Sequence, residues 1–191
     1  MTTALGVAFR PGGAAPFLET PAGEIQDAIV PLGNLWGQAG VELGERLATD
    51  ATPAARFQRL ERALLGRLER ARRCHPAVAA ALGAFGDGVG APDVGAVAER
   101  VGLSRRRLIQ VFRSEVGLPP KLYCRVRRFG AVLQATSGAR AVAWAAVAQA
   151  CGYYDQAHLI RDFREFAGAS PTDYLAARGD GPNPFHLTEP G

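Results

Sequence analysis

Two short stretches of this 191-residue chain collect the side chains best suited to polar recognition. In the first, Arg105, Arg106, Ile109, Gln110 and Arg113 fall on other faces than the inward set Leu108, Val111 and Phe112. In the second, Gln156, His158, Arg161 and Arg164 accompany an inward pair, Leu159 and Phe163. Guanidinium and carboxamide groups at helical spacing present forked donors and acceptors, which suit base edges and phosphate oxygens. The groups for covalent or metal chemistry are not assembled. Cys74, Cys124 and Cys151 are odd in number and widely spaced, with no CxxC and no clustered histidines. That pattern argues against a disulfide framework and a zinc site. Cys74 and His75 are adjacent, so on a helix they point about 100° apart, and no third group completes a triad. No catalytic residue, cofactor or metal is expected, and an enzymatic function lacks its nucleophile.

The elements that must position the two polar faces form a repeat. Asp93 is a plausible N-cap, and Val94, Val97, Ala98 and Val101 then lay one apolar stripe on a short helix. Gly102 supplies the left-handed turn, Ala98 lets a second helix approach, and Ser104 caps that helix. The run from Trp144 to Tyr174 repeats this arrangement: Val147, Ala148 and Gly152 match Val97, Ala98 and Gly102. Past the turn Leu159, Phe163, Arg164, Gly168, Pro171 and Tyr174 match Leu108, Phe112, Arg113, Gly117, Pro120 and Tyr123 with the offset larger by one. One residue has been added in the second turn. Both copies read as helix-turn-helix units, with reading helices at about 104–116 and 155–166.

Between them, Leu122, Tyr123, Val126, Phe129, Val132 and Leu133 predict a connecting helix over 120–134, with Arg125, Arg127 and Arg128 on other faces. Such a helix sets the spacing of the reading helices. To enter successive major-groove segments on one face of B-DNA they must stand about 34 Å apart, and bent DNA accommodates a shorter spacing. The charge distribution agrees. Residues 1–90 are electrically balanced, whereas residues 91–178 carry thirteen basic residues against seven acidic ones. The positive excess lies in the repeat, as in a polyanion binder.

The tandem units resemble the DNA-binding domain of AraC/XylS-type transcriptional regulators over roughly residues 76–177. The resemblance is carried by Gly152-Tyr153-Tyr154-Asp155-Gln156, His158-Leu159, Arg161, Phe163, Gly168, Ser170-Pro171 and Tyr174. It implies base contacts for Arg105, Arg106, Ile109 and Gln110 in the first unit, and for Gln156, His158 and Arg161 in the second. It implies phosphate contacts for Arg113, Lys121 and Arg164. Ala157 and Ile160 stand where relatives often carry polar residues, which points to a second unit that clamps more than it reads.

Residues 1–50 resemble the tail of the sensor region found in one group of these regulators, through Pro11-Gly12-Gly13 and Leu35-Trp36-Gly37. Val7 to Arg10 reads as a strand ended by the Pro11-Gly12-Gly13 turn, and Leu32, Leu35, Trp36, Leu43 and Leu47 as one short helix. A sensor barrel needs many alternating strands, so the effector pocket is expected to be absent or incomplete and the region shortened. Thr52 then caps a helix whose stripe is Phe57, Leu60, Leu64, Leu68 and Ala71. It reads as a linker over 51–75, either packed on its own domain or pairing two chains through 53–73. His75-Pro76 marks a boundary, a short helix follows over 77–85, and Gly86-Asp87-Gly88 with Gly90 and Pro92 makes a flexible loop. The tail from Arg178 reads as disordered and its Arg-Gly-Asp triplet as incidental.

The expected fold is therefore mainly α: two helix-turn-helix subdomains joined by a linker helix, preceded by an irregular or β remnant and helices. No run of eighteen apolar residues and no secretory leader is present, so neither a membrane span nor export is indicated. The function read from this is a cytoplasmic, nucleoid-associated regulator that reads double-stranded DNA by sequence, with RNA polymerase as a further partner. A weakly specific architectural DNA-binding protein without effector control is the alternative.

Overall fold

The computed structural model describes residues 5–71, 73–86, 92–139 and 141–178. The glycine loop at 87–91 and the tail from residue 179 lie outside them. Ten α-helices and two short 3-10 turns make up the described structure: α1 Leu32–Trp36, α2 Gln38–Thr49, α3 Pro53–Leu68, α4 Pro76–Gly86, α5 Val94–Arg100, α6 Arg105–Val116, α7 Pro120–Ala135, α8 Trp144–Ala150, α9 Gln156–Ala167 and α10 Pro171–Arg178. The 3-10 turns are Ala15–Phe17 and Ala22–Glu24. The fold is all-helical, as expected, with one correction. Val7 to Arg10 takes no regular secondary structure, and no strand occurs among the described residues. A lone strand leaves its peptide groups to water. Instead the Phe9 ring packs on Phe17 at 5.0 Å between centroids.

The described residues fall into two compact units, one drawn from those up to 82 and 98–119, the other from those at 83–97 and 120–178. In the first unit, residues 32–49 form two helices where one was expected. Gly37 adopts φ 58°, ψ −143°, outside the helical region, and breaks α1 from α2. Gly40 then seats against the α1 backbone, where an added Cβ would lie 2.5 Å from the Leu32 carbonyl oxygen. The α2–α3 corner is held by Arg59, which donates to both carboxylate oxygens of Asp50 at 2.6 and 2.8 Å. That pairing holds the Asp50 carboxyl below its ordinary range. Thr52 caps α3 as its sequence predicts, accepting from the Ala55 amide at 3.2 Å. The helix ends at Leu68 rather than running to residue 73: Arg70 and Ala71 bond only three residues back, a tightened exit turn that takes Ala71 off the stripe.

The N-terminal segment is anchored at several points within this unit. Trp36 Nε1 donates to the Phe17 carbonyl at 2.8 Å, and Arg67 of α3 lies 4.2 Å over the Trp36 ring while its guanidinium reaches Glu19. The second 3-10 turn packs on the C-terminal end of α6. Gly23 is required there, since a Cβ would stand 2.9 Å from Arg113 Cγ and 3.0 Å from the Arg113 carbonyl oxygen. Glu115 of α6, buried, accepts the His75 amide with both carboxylate oxygens at 2.9 and 3.0 Å, satisfying a donor just before α4.

In the second unit, α7, α8 and α10 all pack on α9. The core is Phe129, Val132, Leu133, Ala148, Tyr153, Leu159 and Phe163, with Trp144, Phe166 and Tyr174 around it. Phe163 meets Phe129, Trp144 and Tyr174 edge-on at centroid distances of 5.1, 6.1 and 5.2 Å. Aromatic edges against faces favour this arrangement. The recurring Phe-to-Tyr spacing of the repeat thus has a packing origin in this copy.

Candidate nucleic-acid interface

Both helix-turn-helix repeats, as distinct from the two compact units, build their reading helix by the same local means. In the first, Asp93 accepts the Ala96 amide at 2.9 Å, Gly102 takes φ 71°, the Leu103 amide bonds back to Ala98 at 2.9 Å, and Ser104 accepts the Arg107 amide at 3.2 Å. In the second, Gly152 takes φ 75°, the Tyr153 amide bonds back to Ala148 at 2.9 Å, and Asp155 accepts the His158 amide at 2.7 Å. Each reading helix ends on a left-handed glycine, Gly117 or Gly168.

On α6, Leu108, Val111 and Phe112 are buried, while Arg105, Arg106, Gln110 and Arg113 are exposed and Ile109 is half-buried. Arg107, absent from the expected contacts, is exposed too and donates to the Gln110 carboxamide oxygen at 2.9 Å. That contact takes up one of the two acceptor positions of the Gln110 oxygen and leaves its amide group without a described partner. Arg113 is the odd one: although it is exposed, its Cγ, its Nε and its carbonyl oxygen all lie close to Gly23 of the N-terminal segment.

On α9, Gln156, Arg161 and Arg164 are exposed, whereas His158 is half-buried, its ring edge-on to Tyr153 at 5.1 Å. Ala157 is exposed and Ile160 half-buried, so this face carries fewer hydrogen-bonding groups than that of α6. Lys121 is exposed at the start of α7.

A buried charge cluster holds α9 to the linker helix α7, and residue spacing alone did not reveal it. Arg125 donates to Asp162 Oδ1 at 3.1 and 2.8 Å and to both Glu165 oxygens. Arg128 stands 4.0 Å from Asp162 Oδ2 and 5.1 Å over the Tyr153 ring. Asp162 is 2% exposed. Its Oδ2, the Arg128 Nε and the Tyr153 hydroxyl are buried without a well-aligned hydrogen-bond partner among the described residues. Burial, then the Asp162 charge, pushes the Tyr153 phenol well above its ordinary value. Arg125 is held more basic than usual by its hydrogen bonds to Glu165 and Asp162. Glu165 is correspondingly more acidic than usual, so its pairing is present at neutral pH and is lost as pH falls through the acid range. A sequence signal did exist: Asp162 occupies the inward stripe of α9, at the place where α6 has buried Val111. An acid in an apolar stripe calls for a cation across the interface.

The cysteines are unpaired, and burial raises each thiol above its usual value. Among the described residues no three His, Cys, Asp or Glu side chains are placed to hold a metal, and no helix is long and apolar enough to cross a membrane.

The family described as "Helix-turn-helix domain" matches residues 97–177. Residues 97–177 are an AraC-type helix-turn-helix domain. Domains of this type are the DNA-binding parts of transcriptional regulators. This AraC-type domain takes in α6 to α9 and most of α5 and α10. The chain is also similar to the DNA-binding domain of AdpA, the global transcriptional factor, solved in complex with a target DNA. Identity is 27% over 54% of this chain and 92% of that one, with a TM-score of 0.48. A transcriptional regulator from Chromobacterium violaceum, of the proteins containing AraC-type DNA-binding domains, is 21% identical over 56% of this chain and 96% of that one, with a TM-score of 0.47. No curated protein matches the chain.

Proposed function

We propose that the chain is a transcriptional regulator that reads double-stranded DNA by sequence, with α6 and α9 in the major groove. The observation that carries this is the pairing of an AraC-type domain with two reading helices whose exposed faces are basic and amide-bearing. Arg105, Arg106, Ile109 and Gln110 of α6, and Gln156, His158 and Arg161 of α9, are assigned to base edges. Arg113, Lys121 and Arg164 are assigned to phosphates. Arg to guanine and Gln to adenine each contribute roughly 1–3 kcal/mol of discrimination. A cytoplasmic, nucleoid-associated location and RNA polymerase as a second partner accompany this reading.

Selection of bound duplexes from a randomised pool, near 0.15 M salt, tests it. Two enriched segments about one helical turn apart are expected. Enrichment of one segment would reduce α9 to a clamp, in keeping with its exposed Ala157. Binding without enrichment would replace specific regulation by an architectural role.

A second copy of the chain is the partner assigned to α3. Phe57, Leu65 and Leu68 of that helix are 57%, 53% and 51% exposed, and Phe57 and Leu68 lie on one face at helical spacing. Glu61 and Arg62, both exposed, place charges of both signs on the same helix, where a two-fold contact can pair the acid of one copy with the base of the other. Analytical ultracentrifugation at micromolar concentration is expected to show a dimer that Leu68→Glu converts to monomer. A parent chain that sediments only as monomer overturns this assignment.

A further inference from the structure

The two helix-turn-helix turns share one pattern of backbone closure and capping and differ in length by one residue. In each, a glycine takes a left-handed φ, the next residue's amide closes back on the alanine four residues before that glycine, and a short side chain caps the reading helix. In the first turn the closing residue, Leu103, is followed at once by the cap, Ser104. In the second, Tyr154 stands between the closing residue Tyr153 and the cap Asp155. Tyr154 is therefore the residue added to the second turn.

Its side chain is 94% exposed, more than any other large apolar side chain on the described surface except Ile29. It has neither a ring contact nor a hydrogen bond to another described residue. The backbone on both sides is nevertheless pinned. Tyr153 is buried in the core beside Arg128, and Asp155 is fixed by its bond to the His158 amide. The phenol is thus carried on a rigid stem at the start of α9, immediately before Gln156. Folding gains nothing from leaving a ring of this size in water, since a buried aromatic removes roughly 150–250 Å² from solvent. A tyrosine loses little rotamer freedom when it is captured, and it offers a flat apolar face with a donor at its tip.

We propose that Tyr154 is a DNA-backbone contact of the second unit, its ring packing on a deoxyribose and its hydroxyl donating to a phosphate oxygen. This rests on the DNA-binding reading above. The contact supplies what the α9 face lacks. With Ala157 and Ile160 in place of polar groups, α9 needs an anchor that positions without reading, and a phosphate contact is of that kind. The first unit, with Arg105, Arg106 and Arg107 consecutive and exposed at the start of α6, has no such need.

Two readouts on the full chain test the assignment, using the duplex that selection returns and a scrambled duplex of the same length. Tyr154→Phe is expected to weaken binding to both duplexes by the same factor, roughly tenfold for one lost hydrogen bond to a charged oxygen. Tyr154→Ala should weaken both further. Neither change should alter the slope of log affinity against log salt, because a phenol displaces no counterion. Nitration with tetranitromethane is expected to modify Tyr154 first in the free chain, and the duplex is expected to protect it. Both variants should keep the parent melting temperature, since the side chain is exposed. Parental affinity in both variants with Tyr154 still nitrated in the complex overturns the proposal and leaves the DNA-binding reading standing. Loss confined to the selected duplex makes Tyr154 a base reader and also overturns it. A parent chain that binds neither duplex removes the DNA-binding reading and this proposal with it.

Discussion

Replacing Asp162 with alanine is expected to lower the unfolding free energy by about 3 kcal/mol, the largest stability effect of any single polar change in the second unit. The carboxylate is 2% exposed and faces two arginines from the linker helix, Arg125 and Arg128. Removing it leaves Arg128 without its carboxylate beside the core residue Tyr153, and leaves Arg125 with Glu165 alone. The cost falls at the low end for a buried ion pair because Arg125 keeps Glu165 and remains partly in water. Glu165→Ala is the matched control. Its contact with Arg125 is the closer one, 2.5 against 2.8 Å, yet Glu165 is exposed, so solvent screens the loss and the melting temperature should barely move. Urea unfolding of both variants decides the matter. An Asp162→Ala chain within about 1 kcal/mol of the parent would mean the cluster adds nothing beyond a surface pair. A stable Asp162→Ala chain with weakened DNA binding would instead make Asp162 a positioning residue, acting through the seat of α9 on α7.

The second large effect concerns recognition. Arg106→Ala is expected to reduce affinity for the selected duplex by roughly ten- to a hundredfold while leaving random duplex nearly unchanged, because a guanine contact of 1–3 kcal/mol disappears. Arg164→Ala should weaken both duplexes about equally and lower the salt slope by about one, as a lost phosphate contact does. Both side chains are exposed, so neither change should disturb folding. Binding titrations at three salt concentrations separate the two behaviours. Equal losses on both duplexes in both variants would refute the division of roles.

How the interface is assembled shows where local chemistry suffices. Asp93, Ser104 and Thr52 cap helices as their sequence context predicts, because a cap needs only an amide three residues away. Gly102 and Gly152 turn left-handed for a reason equally local, and the linker helix runs from Pro120 as its apolar periodicity requires. The inward stripes of α6 and α9 follow from spacing alone. So the pair of helix-turn-helix units, their buried faces and their basic outward faces are written in runs of a dozen residues.

What the tertiary structure alone decided involves partners far apart in the chain. Arg125 meets Asp162 and Glu165 across 37 and 40 residues, and Glu115 meets the His75 amide across 40. Gly23 lies against Arg113, which turns the segment before α1 from an irregular remnant into a brace on the first reading helix. Periodicity could not show that Val7 to Arg10 lacks a partner strand, because pairing is a property of two segments. Nor could it separate α1 from α2, because the break at Gly37 accompanies the bond from Trp36 to Phe17. The sequence by itself determined the helices, their caps and the polarity of each face, since these depend on neighbours within one or two turns. The tertiary structure decided which charges are buried, which arginines are tied down and which tyrosine is left in water, since burial and pairing depend on residues that only folding brings together.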